Sequence, residues 1–230
     1  MKAKFPQKLS QTPILLEKLT LQSGVSVIDP DSAWISPDIN IGRGTTIYPN
    51  CYLIGEAGSV IGEGCEVGPN AFLRDRFQVG NRVKIGFNAE VVRSIIGDET
   101  KIPHSCHIGD ANIGCNCNIA AGVEIGNYDG RQKHWTIIKD CVFVGIGVKI
   151  IAPVVIGAHA YIGAGAIISK DVEPYDLIIG VNKVVEGKKS YCRPKSHEAS
   201  PDDVHVHQPQ DGWRLYPIDE HPVWKARGGY

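Results

Sequence analysis

Methionine is almost missing, at 1 of 230 residues, so a flexible Met-lined groove for helical partners is not expected. Neither charge sign is in excess: 24 Lys and Arg stand against 25 Asp and Glu, a net charge of -1. A nucleic-acid binder would show a basic excess or stripe, so that class of partner is excluded. No apolar run approaches the roughly 20 residues that cross a bilayer. The opening MKAKFPQKLSQTPILLEKL lacks both a long apolar segment and a small-residue cleavage site. No membrane partner is expected, and a cytoplasmic location is. The 7 cysteines are odd in number, and Cys51, Cys65, Cys106, Cys115 and Cys117 sit at repeat positions rather than in a loop-rich scaffold. They read as reduced thiols, and Cys115-x-Cys117 as a packed or surface pair, because two metal ligands need a second pair. Glycine, by contrast, is plentiful at 26.

What the chain does contain is a period of six. Ile35, Ile41, Ile47 and Leu53 are six apart, and two extra residues then enter near Gly55 to Gly58. Ile61, Val67, Leu73, Val79, Ile85 and Val91 follow in phase. One residue is lost before Ile96, Ile102 and Ile108, and one more before Ile113, Ile119 and Ile125. Ile138, Val144, Ile150, Ile156, Ile162 and Ile168 close the series. A helix repeats at three to four residues and a meander needs turn clusters every 8–12, so neither fits. A coil of short strands and tight corners does, each coil burying its aliphatics against the next. Several aliphatics are followed by glycine, which eases a corner.

Interruptions mark the remaining architecture. Pro13 to Leu21 has helical spacing at Ile14, Leu15, Leu19 and Leu21, which predicts a short N-terminal helix, and Gly24 to Pro30 leads into the first coil. Ile125 and Ile138 are 13 residues apart, so Gly126 to Trp135 (GNYDGRQKHW) must leave the coil as a polar loop. Such loops on rigid scaffolds often carry function. The repeat stops after Val172. From Lys188 the chain is rich in Pro, His, Asp and Lys, an arm that orders by packing on a neighbour. His205-x-His207 within it reads as an incidental pair. The expected division is a helix and linker over 1–30, the coil over 31–185 and an extension over 186–230.

An aliphatic followed by Gly and four further residues resembles the hexapeptide-repeat proteins. That resemblance implies an all-β fold, a left-handed parallel β-helix of triangular section, assembled as a homotrimer with sites between subunits. Residues 67–172 resemble more closely the acetyltransferase domain of the bifunctional N-acetylglucosamine-1-phosphate uridyltransferase/glucosamine-1-phosphate acetyltransferase. The match is best in HIGDANIGCNCNIAAGVEIGNYDGRQKH, against a family pattern near Y-I/L-G-D-A-x-I-G-x-x-V-N-I-G-A-G-T-I-x-x-N-Y-D-G-x-N-K. It continues through VFVG and APVVIGAHAYIGAGAIISKDV. The expected activity is acetyl-CoA-dependent N-acetylation of an amino sugar. No Gly-rich nucleotidyltransferase segment precedes the repeats, so uridyltransferase activity is not expected.

The resemblance assigns roles residue by residue. His104 falls where the family's catalytic histidine precedes the G-D-A motif, and would take the proton from the attacking amine. Glu90 matches an acidic residue one coil earlier that would orient His104, and the Ala121 amide would hold the thioester oxyanion. Asn127, Tyr128 and Lys133 match loop contacts to the sugar and acyl end, and Asn118 matches a further asparagine. Ala164 and Lys170 match the pantetheine slot and the coenzyme A phosphates. Arg74 matches an arginine that binds the sugar phosphate. The lysine that joins it is replaced by Val92, so Arg93 would compensate only by turning inward. A tyrosine of the sugar site is His107, Ala120-Ala121 stand for Ala-Gly, and Ile146 stands for a serine after VFVG. Gly212-Trp213-Arg214 faintly resembles the family's C-terminal arm. The base and loop survive while acceptor-phosphate recognition changes.

Two competing readings stay open. A zinc enzyme of the γ-carbonic-anhydrase kind shares the prism, but His104-x2-His107 has the wrong spacing for its His-x4-His pair, so no metal is expected. A non-catalytic scaffold or binding subunit is compatible with Val92, His107 and Ile146.

Overall fold

The computed structural model describes residues 7–17, 24–180 and 183–189. Short strands stack in parallel into a three-faced β-solenoid of about eight turns. Its faces are sheets of nine, seven and ten strands. The chain visits them in fixed rotation, for example Lys84–Phe87 in the ten-stranded sheet, Glu90–Val92 in the nine-stranded and Ile95–Ile96 in the seven-stranded. Every strand from Ser26–Val27 to Asp176–Ile179 pairs in parallel with its equivalents one coil away. Among the described residues only the end strands break the rule: Gln7–Lys8 runs antiparallel to Trp34–Ile35, and Lys183–Lys189 to Asp176–Ile179.

All the aliphatics at the six-residue spacing point inward, none more than 7% exposed. A second inward row lies two residues before each of them and is mostly of small side chains, such as Ala71, Ala89, Ala111 and Ala160, with Ile39, Phe77 and several valines filling the remaining places. This row explains the cysteines and threonines. Cys65 Sγ contacts the Gly80 carbonyl at 3.1 Å and Cys117 Sγ that of Lys139 at 3.1 Å. Thr45 and Thr100 donate to the Gly62 and Gly114 carbonyls of the next coil, at 2.8 and 2.7 Å. The slot thus takes a small side chain with a weak or strong donor aimed at the coil above. Burial pushes the Cys51 thiol up to about 11, as befits an inert packing thiol.

Between residues 9 and 17 the chain covers the first coils. Leu9 is fully buried in the core, and Leu15 and Leu16 pack against it. A 3-10 turn at Leu9–Gln11 precedes an α-helix at Pro13–Glu17. The expected helix therefore forms in its first half, and 18–21 lie outside the described residues. The two-residue insertion is absorbed by the longer strand Tyr52–Gly55 and the turn that follows it. The two one-residue deletions fall at corners where Arg93 and Asp110 take left-handed conformations, φ 48° and 50°. Two strands, Asp176–Ile179 and Lys183–Lys189, follow Val172, where the six-residue count has already ended. His205, His207 and Gly212 to Arg214 lie outside the described residues. Among the described residues no helix is long and apolar enough to cross a membrane.

Candidate active site

Registers fix where each candidate residue stands. In the ten-stranded sheet Phe87 pairs with His104, Lys101 with Asn118, and Asn118 with Phe143. Phe143 in turn pairs with Tyr161. Counting three residues on from these pairs stacks His104, Ala121, Ile146 and Ala164 at one corner in successive coils. Backbone bonds confirm the upper part: Gly147 N–H donates to Ala121 O and Gly165 N–H to Ile146 O, both at 2.8 Å. The corner holds a groove of about 590 Å³ lined by Ala121, Gly122, Ile146, Gly147, Ala164 and Gly165. Small residues make the trough, and Ile146, 60% exposed, makes its apolar wall. The Ala121 N–H has no acceptor among the described residues, whereas the Ala120 N–H donates to Val144 O at 2.9 Å. His104 stands exposed one coil below the groove.

The nine-stranded face beside this corner carries a charged platform. Arg74 Nε donates to Glu90 Oε1 at 2.7 Å, and the other Glu90 oxygen lies 2.8 Å from His107 Nδ1. At the far corner Arg93 forks onto Asp110, with Nε to Oδ1 at 2.6 Å and Nη2 to Oδ2 at 2.9 Å. Its Nη1 donates to Asp75, which also takes Arg74 Nη1 at 3.4 Å. Asn127 Nδ2 donates to Asp110, which ties the polar loop to the same cluster. Beneath these side chains lies Val92, on the outward row between Arg74 and Gly109 yet fully buried. An apolar residue at this outward position is covered by the ion network rather than by core. Burial acts to raise the Glu90 carboxyl, but hydrogen bonds from Arg74 and His107 outweigh it and hold the group below its ordinary value.

Gly109 is needed where it is. A Cβ there would lie 2.5 Å from Asn127 Nδ2 and 2.9 Å from His107 Nε2, so glycine lets the two side chains converge over the strand. The loop itself is an ordered hairpin. Tyr128 and Lys133 form an antiparallel bridge, and Asn127 O accepts the His134 N–H at 2.7 Å. Asp129 is its hub, taking His134 Nε2 at 2.7 Å and the Arg131 and Gln132 amides at 2.7 and 2.8 Å. Those bonds, the one from His134 foremost, hold the Asp129 carboxyl far below the usual range. Tyr128 and Lys133 themselves project into solvent.

Several expectations are altered by these contacts. Glu90 is paired with His107 and Arg74, both its oxygens engaged, and does not orient His104, which belongs to the adjacent sheet. Arg93 does turn into the platform, but its guanidinium is held by Asp110 and Asp75. Asn118 sits between Lys101 and Phe143, on the ten-stranded face and away from the platform. Ala164 lies at the groove corner, whereas Lys170 is exposed at the far corner, in line with Ala152 and Asn127. Asp75 and Asp110 were missed, although the coil length reveals one of them: residues 17 apart stack here, and Arg93, Asp110 and Asn127 form such a series. Among the described residues no group of His, Cys, Asp and Glu comes together that can hold a metal ion.

A parallel solenoid whose corner groove and polar loop rest on six-residue repeats defines a known class. Residues 58–93 match the family described as bacterial transferase hexapeptide (six repeats). Over about three quarters of its length the chain is also similar to the bifunctional GlmU proteins. It is 35% identical over 206 residues to bifunctional protein GlmU of Carboxydothermus hydrogenoformans, covering 75% of this chain and 46% of that one. Against the protein of the same name from Caldanaerobacter subterraneus it is 40% identical over 192 residues, 69% of this chain and 42% of the other. The chain thus spans less than half the length of these curated relatives. Among solved structures, the polysialic-acid-specific acetyltransferase NeuO is similar at 18% identity and TM-score 0.42, over 77% of this chain and 88% of that one.

Proposed function

We propose that the chain transfers an acetyl group from acetyl-CoA to the amine of an amino sugar. One observation carries this reading: the histidine assigned as base, the amide assigned as oxyanion donor and an apolar groove share a single corner. The groove suits the apolar, extended pantetheine arm, with the thioester carbonyl brought to the free Ala121 N–H. His104 takes the amine proton as nitrogen attacks the carbonyl carbon, and the negative charge developing on oxygen is met by Ala121 N–H. The tetrahedral species then collapses, the C–S bond breaks, and the coenzyme A sulfur leaves with a proton returned from His104. Homology to GlmU proteins supports a sugar-derived acceptor. The sugar is placed on the nine-stranded face, with Asn127, Tyr128 and Lys133 of the loop, and Asn118 and Lys170 act from outside the platform. In this reading the chain works as a homotrimer, each corner groove completed by a neighbour.

The test is release of free coenzyme A from acetyl-CoA in the presence of a panel of amino sugars, their phosphates and nucleotide-linked forms. Release that depends on an acceptor is the expected result. No release with any acceptor, together with no acetyl-CoA binding by calorimetry, would remove the enzyme reading.

A further inference from the structure

We propose that the acceptor site on the nine-stranded face selects a sugar that carries no phosphate where Arg74 and Arg93 stand. This inference rests on the acyl-transfer reading above and narrows its substrate class.

The two guanidinium groups of the platform share three carboxylates, Asp75, Glu90 and Asp110. Arg93 has all three of its donor nitrogens engaged, two of them in a fork onto Asp110. The fork geometry that would grip a phosphate is already filled by a carboxylate of the same chain. Arg74 is committed to Glu90 and reaches Asp75. A phosphate arriving here meets a cluster with more negative than positive groups, and can be held only by displacing a carboxylate that then remains beside it.

Two further features point the same way. Val92 occupies the outward row directly above Arg74 and offers neither charge nor donor. His107 faces Glu90 through Nδ1, so in the neutral ring the hydrogen sits there and Nε2 is left as an acceptor. Next to that Nε2 stands the Asn127 amide, which retains a second hydrogen. An acceptor lone pair beside a donor fits a hydroxyl, which both gives and takes a hydrogen bond. A phosphate dianion only accepts, and against the neutral ring it would face the Nε2 lone pair.

The experiment has two arms, both on the full chain. In the first, glucosamine is compared with glucosamine-1-phosphate, and galactosamine with galactosamine-1-phosphate, as acceptors for acetyl-CoA. The unphosphorylated member of a pair is expected to have a kcat/KM larger by about tenfold or more. A phosphorylated member preferred by the same factor would overturn the proposal and leave the acyl-transfer reading standing. The second arm needs no turnover: glucose-1-phosphate is titrated into the protein by calorimetry. No saturation is expected up to about 10 mM, and the Asp75→Asn/Glu90→Gln double variant, with Arg74 released from both of its carboxylates, is expected to gain affinity by about tenfold or more. Saturable binding to the unaltered chain below about 1 mM overturns the proposal. If acetyl-CoA fails to bind at all, acyl transfer is lost, but the calorimetric arm still decides whether the platform accepts phosphate.

Discussion

Replacing His104 with Ala is expected to lower kcat by about 10²- to 10⁴-fold, the range for removing a positioned general base. Acetyl-CoA affinity should change little, because the groove is lined by Ala121, Ile146 and Ala164 in the three coils above. Stability should also hold within about 0.5 kcal/mol, since His104 is exposed and outside the core. A parallel His107→Ala variant sharpens the result. His107 is part of the platform through Glu90, so its loss should raise the acceptor KM more than it lowers kcat. Steady-state kinetics with saturating acetyl-CoA separates the two effects. If His104→Ala keeps its kcat and His107→Ala abolishes turnover, the base is the Glu90–His107 dyad and the corner assignment is wrong.

The largest structural effect is expected at the core. Ile108 is fully buried on the inward row, between Val91 below and Ile125 in the coil above. Ile108→Ala deletes its outer carbons and leaves a cavity, at a cost of about 2–5 kcal/mol. For a chain of this size that corresponds to a drop in Tm of about 2–4 °C per kcal/mol. The loss should spread to neighbouring coils, because a solenoid is stabilised by contacts between adjacent repeats. Ile28→Ala is the control: Ile28 is 56% exposed, and its change should stay within about 0.5 kcal/mol. Thermal unfolding followed by circular dichroism reads both. Equal shifts for the two variants would contradict the inward assignment of the six-residue row.

Much of this was legible in the sequence, and the reason is physical. One aliphatic per six residues has a single way to be buried in a stack of short strands, so Ile35, Ile61, Ile108 and Ile156 could be placed without coordinates. The polar loop announced itself because 13 residues between Ile125 and Ile138 cannot fit one face. The corner series of His104, Ala121 and Ala164 was reached through the resemblance, and registers bring those residues into one stack. The pairing of side chains across coils was harder. It depends on coil length, which the two one-residue deletions change to 17 near Glu90 and His107. Reading the deletions as shorter coils, rather than as breaks in phase, would have put Glu90 under His107 and Arg93 under Asp110. Arg74 and Glu90, 16 apart, meet on a diagonal that no simple count gives. The small inward row was missed for a different reason. Ala, Cys, Ser and Thr share size rather than hydrophobicity, and only the carbonyl of the next coil shows why a hydroxyl or thiol is tolerated there.

Binding of the donor at the His104 corner is the point on which the whole reading turns, and a crystal structure of the protein with acetyl-CoA tests it most directly. The expected complex has the pantetheine arm along Ala121, Ile146 and Ala164, the thioester oxygen within hydrogen-bond distance of Ala121 N–H, and His104 facing the carbonyl carbon. Density for acetyl-CoA on another face, or an empty groove at saturating acetyl-CoA, would contradict it.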